Sequence, residues 1–207
     1  GGPLFTVEFD QFEEVDHFVL NEAELTLQRF ISDIESGMLK RIYSSSEFFD
    51  LSKSPVPQWD LVDLEQYAIM GIQYSRGCPY KCEFCQVTIL LGNQTRLKTA
   101  DQIIAELDSL YNTGWRRPIF FVDDNFIGNK RRLKTELLPL MIEWHKDKSE
   151  IRFRTQVSID LADDDQLMQL MVEAGFTTVF IGIETPDNEG LAECIKKQNK
   201  NRNLIEN

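Results

Sequence analysis

The sequence contains few histidines and few cysteines, and these low numbers limit the kinds of metal site and disulfide framework that the protein can form. There are two histidines, His17 and His145, and four cysteines in 207 residues. A structural zinc site usually has four Cys or His ligands arranged as two close pairs, and a second pair is missing here. A disulfide framework also fits poorly, because four cysteines are sparse for a chain of this length.

Long apolar runs and an excess of positive charge are missing as well. No apolar segment approaches the ~20 residues that a membrane-spanning helix needs. The formal net charge is −12, whereas surfaces that bind nucleic acid or anionic membranes are usually basic. We therefore expect no nucleic-acid partner and no transmembrane segment.

The sequence does contain a cysteine triplet. Cys78, Cys82 and Cys85 form a C-x3-C-x2-C motif, and Cys194 stands apart from them. A 4Fe–4S cluster ordinarily has four thiolate ligands, so three ligands leave one iron open, and an open position is typical of a catalytic metal. We interpret the triplet as an iron–sulfur site, with a zinc site and buried structural cysteines as the alternatives. Free thiols and an oxygen-labile cluster require a reducing compartment, which predicts a cytoplasmic protein.

From about residue 68 onward, predicted strands alternate with predicted helices. Short apolar runs indicate four strands, at residues 68–74, 119–122, 151–157 and 178–183. This alternation predicts right-handed parallel βαβ units, and the cysteines follow the first strand, at the edge where such folds place their chemistry. Four strands cannot close a barrel. We therefore predict an α/β fold, an incomplete TIM-like βα barrel of parallel strands with an exposed edge after the fourth strand.

Three helix signals accompany these strands. Thr99 and Gln102 form a predicted capping box at the start of the first long helix. Pro139 is expected to kink the helix after the second strand, and Asp163 is the expected N-cap of the helix after the third strand.

Residues 1–67 have a different pattern. We predict a short N-terminal region at 1–37, an extended linker at 38–67 and the α/β core at 68–207, which corresponds to roughly the first four βα units. The N-terminal region contains a predicted strand at 15–20 and a predicted amphipathic helix at 22–34. It is too short for a domain, so we expect the chain to be part of a longer protein.

The cysteine motif, with Phe84 directly before its last cysteine, resembles that of the radical S-adenosylmethionine superfamily. Other stretches resemble the cobalamin-associated branch, in particular the group that has an extra C-terminal domain of unknown function and includes hopanoid methylases. These stretches are RGCP at 76–79, FVDDNF at 121–126, AGF at 174–176, FIGIET at 180–185 and KQN at 197–199. Residues 1–3 resemble the last loop of the cobalamin-binding domain that precedes the barrel there, so residues 1–37 resemble the tail of that domain.

The resemblance implies a set of cofactors and an activity. Cys78, Cys82 and Cys85 would hold a 4Fe–4S cluster whose open iron binds S-adenosylmethionine, and reductive cleavage would yield a 5′-deoxyadenosyl radical. The parent protein is expected to be a cobalamin-dependent methyltransferase acting on an unactivated carbon of a small-molecule or lipid substrate, with a reductant such as flavodoxin or ferredoxin. The later strands and an Asp-x-His-x-x-Gly cobalamin motif are absent from the sequence, so the chain alone is expected to be inactive.

Roles for other residues follow from the same resemblance, and no residue is assigned as catalytic. Phe84 would lie against the adenine, with anchoring in the core as the alternative. Asp123, Asp124 and Asn125 would accept hydrogen bonds from the methionine ammonium group, or else form an N-cap and turn. Glu184 would contact the ribose, or else form a salt bridge.

Five further residues have weaker signals. Arg154, Gln156 and Ser158 alternate on the third strand, so one face of that strand is a candidate pocket wall. Arg96 is a candidate for the cofactor carboxylate or a surface residue, and Cys194 is expected to be inert.

Two other functions remain open on the sequence. The first is a radical cyclase or an enzyme of oxidative rearrangement that transfers no methyl group. The second is a non-catalytic iron–sulfur or zinc module.

Overall fold

The computed structural model describes residues 1–202, and the chain divides into two compact units between Asp50 and Leu51. This division falls inside the predicted linker at 38–67. The origin of residues 1–37 in a cobalamin-binding domain, and the other predicted domain boundaries, stay predictions. Within residues 1–202, no helix has the length and apolar character needed to cross a membrane.

The N-terminal unit is built around one βαβ element. It contains α1 (Pro3–Glu8), β1 (Phe18–Val19), α2 (Leu27–Ser36) and β2 (Ile42–Tyr43). The two strands pair in parallel, with Phe18 opposite Ile42. Phe18 and Tyr43 are buried, and the Tyr43 hydroxyl donates a hydrogen bond to Asp33 at 2.8 Å. The predicted strand and helix of this region therefore form, although both are shorter than expected.

The C-terminal unit contains the sheet on which the candidate site lies. Its elements are β3 (Met70–Ile72), β4 (Ser75–Arg76), α3 (Val87–Leu90), β5 (Arg96–Leu97), α4 (Ala100–Asn112), β6 (Ile119–Phe121), α5 (Lys130–Arg132), α6 (Leu138–His145), β7 (Phe153–Val157), α7 (Asp165–Glu173), β8 (Phe176–Ile181) and α8 (Asn188–Glu193). Short 3-10 helices precede β3 at Leu51–Lys53, Trp59–Leu61 and Leu64–Gln66, and others lie at Phe126–Asn129, Ile159–Asp163 and Lys197–Asn199.

The four main strands form a parallel sheet in the order β3-β6-β7-β8, the order in which they follow one another along the chain. Sequential parallel strands with helical crossovers are the arrangement of a βα barrel wall. Within residues 1–202, β8 has a neighbouring strand on one side only, so this wall is not closed. The predicted α/β class and incomplete parallel barrel are confirmed.

The two faces of the sheet differ in character because side chains alternate along each strand. In β7, Phe153, Thr155 and Val157 are buried, and the residues between them are exposed. Phe153 lies in an aromatic cluster with Phe121 and Phe176, with ring centroids 5.6 and 5.4 Å away. The opposite face carries Phe180, which is 52% exposed. The helices thus cover one face, and within residues 1–202 the inner face of the incomplete barrel is exposed at Phe180.

The capping box at the start of α4 is confirmed. The backbone N–H of Gln102 donates to the Thr99 hydroxyl at 3.2 Å, and the Gln102 side chain accepts from the Thr99 N–H at 2.8 Å. The predicted cap at Asp163 is wrong. Asp164 caps α7 by accepting from the Leu167 N–H at 3.1 Å. The reason is that a 3-10 turn continues through Asp163 and moves the start of α7 along by one residue.

The helix between β6 and β7, in which a kink at Pro139 stays a prediction, is irregular. A π-helical turn at Leu133–Leu137 precedes α6, and Pro139 occupies the first turn of α6. Proline has no N–H to donate to the preceding turn, and π turns are a common form of such an interruption. Buried Leu133, Leu137 and Leu138 keep this irregular helix packed on the core.

Candidate functional site

A pocket of about 260 Å³ lies at the carboxyl ends of β6, β7 and β8, beside the loop that carries the cysteine triplet. It is lined by Cys78, Tyr80, Cys82, Phe84, Cys85, Val87, Asp124, Asn125, Gln156, Val157, Ser158, Phe180, Gly182, Glu184, Lys196 and Gln198. Binding sites of parallel α/β folds lie at this edge of the sheet. The pocket therefore contains all three motif cysteines and four of the five predicted cofactor-binding residues.

The cysteine loop is closed at its base by the antiparallel pair β4 and β5, in which Arg76 lies opposite Arg96. Gly77 follows this pair with φ of 88°. A Cβ added at Gly77 would lie 2.6 Å from the carbonyl oxygen of Gln94, so glycine is needed here both for conformation and for space. The Cys78 N–H then donates to the Gly92 carbonyl at 3.3 Å. The start of the motif is thereby fixed by backbone contacts.

The three motif cysteines are free thiols that face one pocket. Burial raises the pKa of the Cys78 thiol. Within residues 1–202, no group of three or more Cys, His, Asp or Glu side chains is gathered closely enough to hold a single metal ion. Ligands of one zinc ion all lie about 2.3 Å from it, whereas the cysteines of a 4Fe–4S cluster each bind a different iron. Three cysteine thiols that line one pocket are a donor set of the type that an iron–sulfur cluster uses.

Asp123 does not line the pocket, unlike the two residues that follow it. Its carboxylate is fully buried and accepts hydrogen bonds from the Ser75 N–H, the Ser75 hydroxyl and, at 3.1 Å, the Tyr74 N–H. Burial raises the pKa of Asp123 to about 7, against the effect of these donors. Asp123 thus connects the end of β6 to the chain that leads into the cysteine loop. Its predicted contact with a cofactor stays a prediction.

Asp124 and Asn125 face the pocket in different ways. Asp124 is exposed and lines it. Asn125 is buried and its amide Nδ2 donates to the Ser158 hydroxyl at 3.0 Å, while its Oδ1 accepts from the Ser158 N–H at 3.1 Å. This pair joins the ends of β6 and β7. Of the two acids in the motif, Asp124 is exposed to solvent and Asp123 is buried.

Glu184 follows β8 and adopts a left-handed backbone conformation, with φ of 66°. This conformation is uncommon outside glycine and often occurs at functional sites. Its carboxylate forms an ion pair with Lys196, whose side chain is 9% exposed. The Lys196 ammonium also lies 5.6 Å from the centre of the Phe84 ring, and that ring is itself 55% exposed. Glu184, Lys196 and Phe84 therefore form one wall of the pocket.

The five residues with weaker sequence signals differ in whether they line the pocket. Gln156 and Ser158 line the pocket, whereas Arg154 does not. Arg96 donates to the Leu91 carbonyl at 3.0 Å and so braces the cysteine loop. Cys194 lies outside the pocket lining, with its thiol 3.7 Å from the Leu191 carbonyl.

Sequence reasoning assigned no role to Tyr80, Lys196 or Gln198, which also line the pocket. Burial raises the pKa of Tyr80 to about 12. The signal for Gln198 was its place in the KQN stretch that carried part of the resemblance. Tyr80 and Lys196 have no comparable signal in a single sequence.

Comparison with known protein families gives a match over residues 72–207 to the model of the radical SAM superfamily. This range is more than half of the chain. It begins within β3 and includes the cysteine triplet.

Two similar proteins carry names that include a methylation activity. An uncharacterized methyltransferase of Synechocystis sp. is 44% identical over 100% of this chain, which covers 39% of that protein. The hopanoid C-2 methylase of Rhodopseudomonas palustris is 35% identical over 96% of this chain and 38% of its own length. The chain thus spans about two fifths of the length of these relatives.

A solved structure has a similar fold over almost the whole chain. The cobalamin-dependent S-adenosylmethionine radical enzyme OxsB, with aqua-cobalamin and S-adenosylmethionine bound, gives a TM-score of 0.75 at 20% identity. The similarity covers 96% of this chain and 33% of OxsB. Since the family match covers most of the chain and includes the cysteine loop, the resemblance seen in the sequence is confirmed, and the chain belongs to the radical SAM superfamily.

Proposed function

We propose that this chain is the catalytic core of a radical S-adenosylmethionine methyltransferase. The observation that carries the proposal is the position of Cys78, Cys82 and Cys85 around one pocket at the carboxyl ends of the parallel strands. The methyltransferase names of two similar proteins support the reaction class. Membership of the superfamily supports the use of S-adenosylmethionine.

In this proposal, Cys78, Cys82 and Cys85 bind a 4Fe–4S cluster and leave one iron open to S-adenosylmethionine. When bound, the cluster would supply the electron that cleaves this cofactor to methionine and a 5′-deoxyadenosyl radical. The protein orients the cofactor and keeps water from the reacting atoms. A one-electron reductant such as flavodoxin or ferredoxin is the proposed electron donor to the cluster. A reducing compartment such as the cytoplasm keeps the cysteine thiols free of disulfide bonds.

The proposed contacts with S-adenosylmethionine come from residues that line the pocket. Asp124 and Asn125 are the proposed hydrogen-bond acceptors for the methionine ammonium group, and a nearby carboxylate favours a cationic ligand. Phe84 offers an exposed ring to the adenine. Glu184 is the proposed ribose contact, and Lys196 holds its carboxylate in place. Asp123 acts through Tyr74 and Ser75, at the base of the cysteine loop.

We propose that the methyl group is transferred to the substrate by way of a cobalamin that other parts of the parent protein bind. The similarity of the fold to OxsB over both units supports this arrangement. The substrate is proposed to be a small molecule or lipid with an apolar skeleton. The inner face of the barrel supports an apolar substrate, because Phe180 is exposed there and packs edge-on against Phe120, with centroids 5.9 Å apart.

Anaerobic reconstitution of the chain with iron and sulfide tests the first part of this proposal. We expect an electron paramagnetic resonance signal of a reduced 4Fe–4S cluster that changes when S-adenosylmethionine is added. Zinc in place of iron and sulfide would instead support a structural metal module, and a cluster indifferent to the cofactor would contradict an open iron. In the parent protein, transfer of label from methyl-labelled S-adenosylmethionine to the product would distinguish methylation from cyclisation or rearrangement.

Glu184→Gln is expected to weaken binding of S-adenosylmethionine about 10-fold in the reconstituted chain. A hydrogen bond to a charged group contributes about 1.5–3 kcal/mol, and about 1.4 kcal/mol corresponds to a factor of ten. Equilibrium dialysis with labelled cofactor measures this change. Glu193→Gln is the matched control, because Glu193 is exposed at the end of α8 and does not line the pocket. Equal affinity of the wild-type and Glu184→Gln chains would remove Glu184 from the site.

A further inference from the structure

The segment that follows β8 folds back onto the cysteine loop. We call residues 187–199 the strap. The Cys194 carbonyl accepts a hydrogen bond from the Glu83 N–H at 3.0 Å, inside the C-x3-C-x2-C motif. At the other end of the strap, the buried Asn199 amide donates to the carbonyls of Gly182 and Ile183, at 2.9 and 3.0 Å. The strap is thus held to the motif and to the end of β8.

The strap places the side chain of Gln198 against a motif cysteine. The Gln198 amide Nε2 lies 3.5 Å from the Cys82 sulfur, a normal length for a hydrogen bond to sulfur. Gln198 lies in the 3-10 turn Lys197–Asn199, and its carbonyl accepts a hydrogen bond from Arg202 at 2.6 Å. The backbone of Gln198 is therefore held both by the 3-10 turn and by the hydrogen bond from Arg202.

The orientation of the Gln198 amide follows from its surroundings. Its Oε1 is buried and has no hydrogen-bond partner within residues 1–202, so no protein donor fixes the orientation of the amide. The opposite orientation would set the amide oxygen against the sulfur, and a thiolate sulfur is an acceptor only. The N–H group therefore faces Cys82 whenever the sulfur is a thiolate ligand.

We propose that Gln198 raises the reduction potential of the cluster bound through Cys82, an inference that rests on the proposed function. Hydrogen bonds to the ligand sulfurs are among the determinants of the potential of an iron–sulfur cluster. Reduction adds one electron and one negative charge to the cluster and its ligands. A donor aimed at a ligand sulfur stabilises the more negative reduced state more than the oxidised state. Gln198 is thus a positioning residue that makes the cluster easier to reduce.

Potentiometric titration of the reconstituted full chain, followed by electron paramagnetic resonance, tests this proposal. Dithionite with mediators supplies the electron. Gln198→Met keeps the length of the side chain and removes the donor. We expect its equilibrium constant for one-electron reduction to fall about 10-fold, which corresponds to a midpoint potential about 59 mV more negative. Gln198→Glu replaces the donor with a carboxylate and is expected to move the potential further in the same direction.

Gln169→Met is the matched control. Gln169 lies on α7, where its amide donates to Glu173 at 2.7 Å, and it does not line the pocket. The midpoint potential of the cluster in the Gln169→Met chain is expected to equal that in the wild-type chain. The iron and sulfide content of each variant is measured in the same samples, so that cluster occupancy and potential are separated.

The outcomes distinguish this inference from the proposed function. A wild-type chain that binds no 4Fe–4S cluster would overturn both. Clusters with the same potential in the wild-type chain and both Gln198 variants would overturn the role of Gln198 alone. A variant with lower occupancy but an unchanged potential would also overturn it, because a purely structural strap affects assembly and not the redox equilibrium.

Discussion

The Cys82→Ala chain is expected to assemble no 4Fe–4S cluster under conditions in which the wild-type chain does. Each motif cysteine would bind a different iron, and two thiolates do not retain the cluster in place of three. The expected result is loss of the electron paramagnetic resonance signal, with iron and sulfide falling to background. Binding of S-adenosylmethionine through the open iron is expected to be lost as well.

Cys194→Ala is the matched control for this experiment. Cys194 is the fourth cysteine of the chain, it is also a free thiol, and it does not line the pocket. Its backbone carbonyl contacts Glu83, but alanine keeps that carbonyl. We expect full cluster content in Cys194→Ala. Retention of the cluster by Cys82→Ala, or its loss in Cys194→Ala, would contradict the assignment of the three ligands.

Asp123→Ala is expected to lower the free energy of unfolding of the chain by about 3–5 kcal/mol. The substitution leaves the buried N–H groups of Tyr74 and Ser75 and the Ser75 hydroxyl without their acceptor. Each unsatisfied buried donor costs about 1–3 kcal/mol. A loss of this size is a large part of the ~5–15 kcal/mol stability of a typical domain. Urea unfolding followed by circular dichroism measures it.

Asp124→Ala is the neighbouring control. Asp124 is exposed at the pocket, so we expect its removal to change the free energy of unfolding by less than about 0.5 kcal/mol. It is expected to weaken cofactor binding instead. Equal destabilisation by the two alanine variants would contradict the division of roles between the adjacent acids.

The buried position of Asp123 also predicts a pH dependence. Its pKa in the folded chain is raised to about 7 from the ordinary value of 3.8, chiefly by burial. The folded state therefore holds a proton that the unfolded state has released between these two pH values. The contribution of this group to stability is full below about pH 4 and is lost as the pH rises through about 7.

Asp123→Asn separates this titration from other groups, because an amide does not titrate. We expect the difference in unfolding free energy between the wild-type chain and Asp123→Asn to change with pH between about pH 4 and 7, in favour of the wild-type chain at the lower end. The difference is expected to level off above the folded pKa. A difference that stays constant over this range would show that the folded pKa of Asp123 is not raised.

The chemical type of the candidate metal ligands could be predicted from the sequence alone. The three thiols in C-x3-C-x2-C spacing define a donor set, because ligand chemistry depends on residue type and on short-range spacing. The four strands and the capping box at Thr99 were predictable for a similar reason. Hydrophobic periodicity and helix caps are local properties, since each depends on residues within one or two turns of the chain.

Local signals were less reliable at element boundaries. Asp163 and Asp164 are adjacent and equally good caps by residue type, and the choice between them depended on how far the preceding 3-10 turn continued. Three of the four sheet strands also proved shorter than their apolar runs, and β8 begins and ends two residues earlier than predicted. Pairing with neighbours decides where a strand ends.

Only the tertiary structure decided which partners the residues of the candidate site contact. Asp123 and Asp124 are indistinguishable in the sequence, and their roles separated because Ser75, 48 residues away, places two donors against Asp123. Gln198 contacts Cys82, 116 residues away, because the strap folds back from the end of β8. The sequence determined which donors and acceptors are available. Their partners depend on the path of the chain in space, because contacts between distant residues form only when the strands, loops and strap have packed.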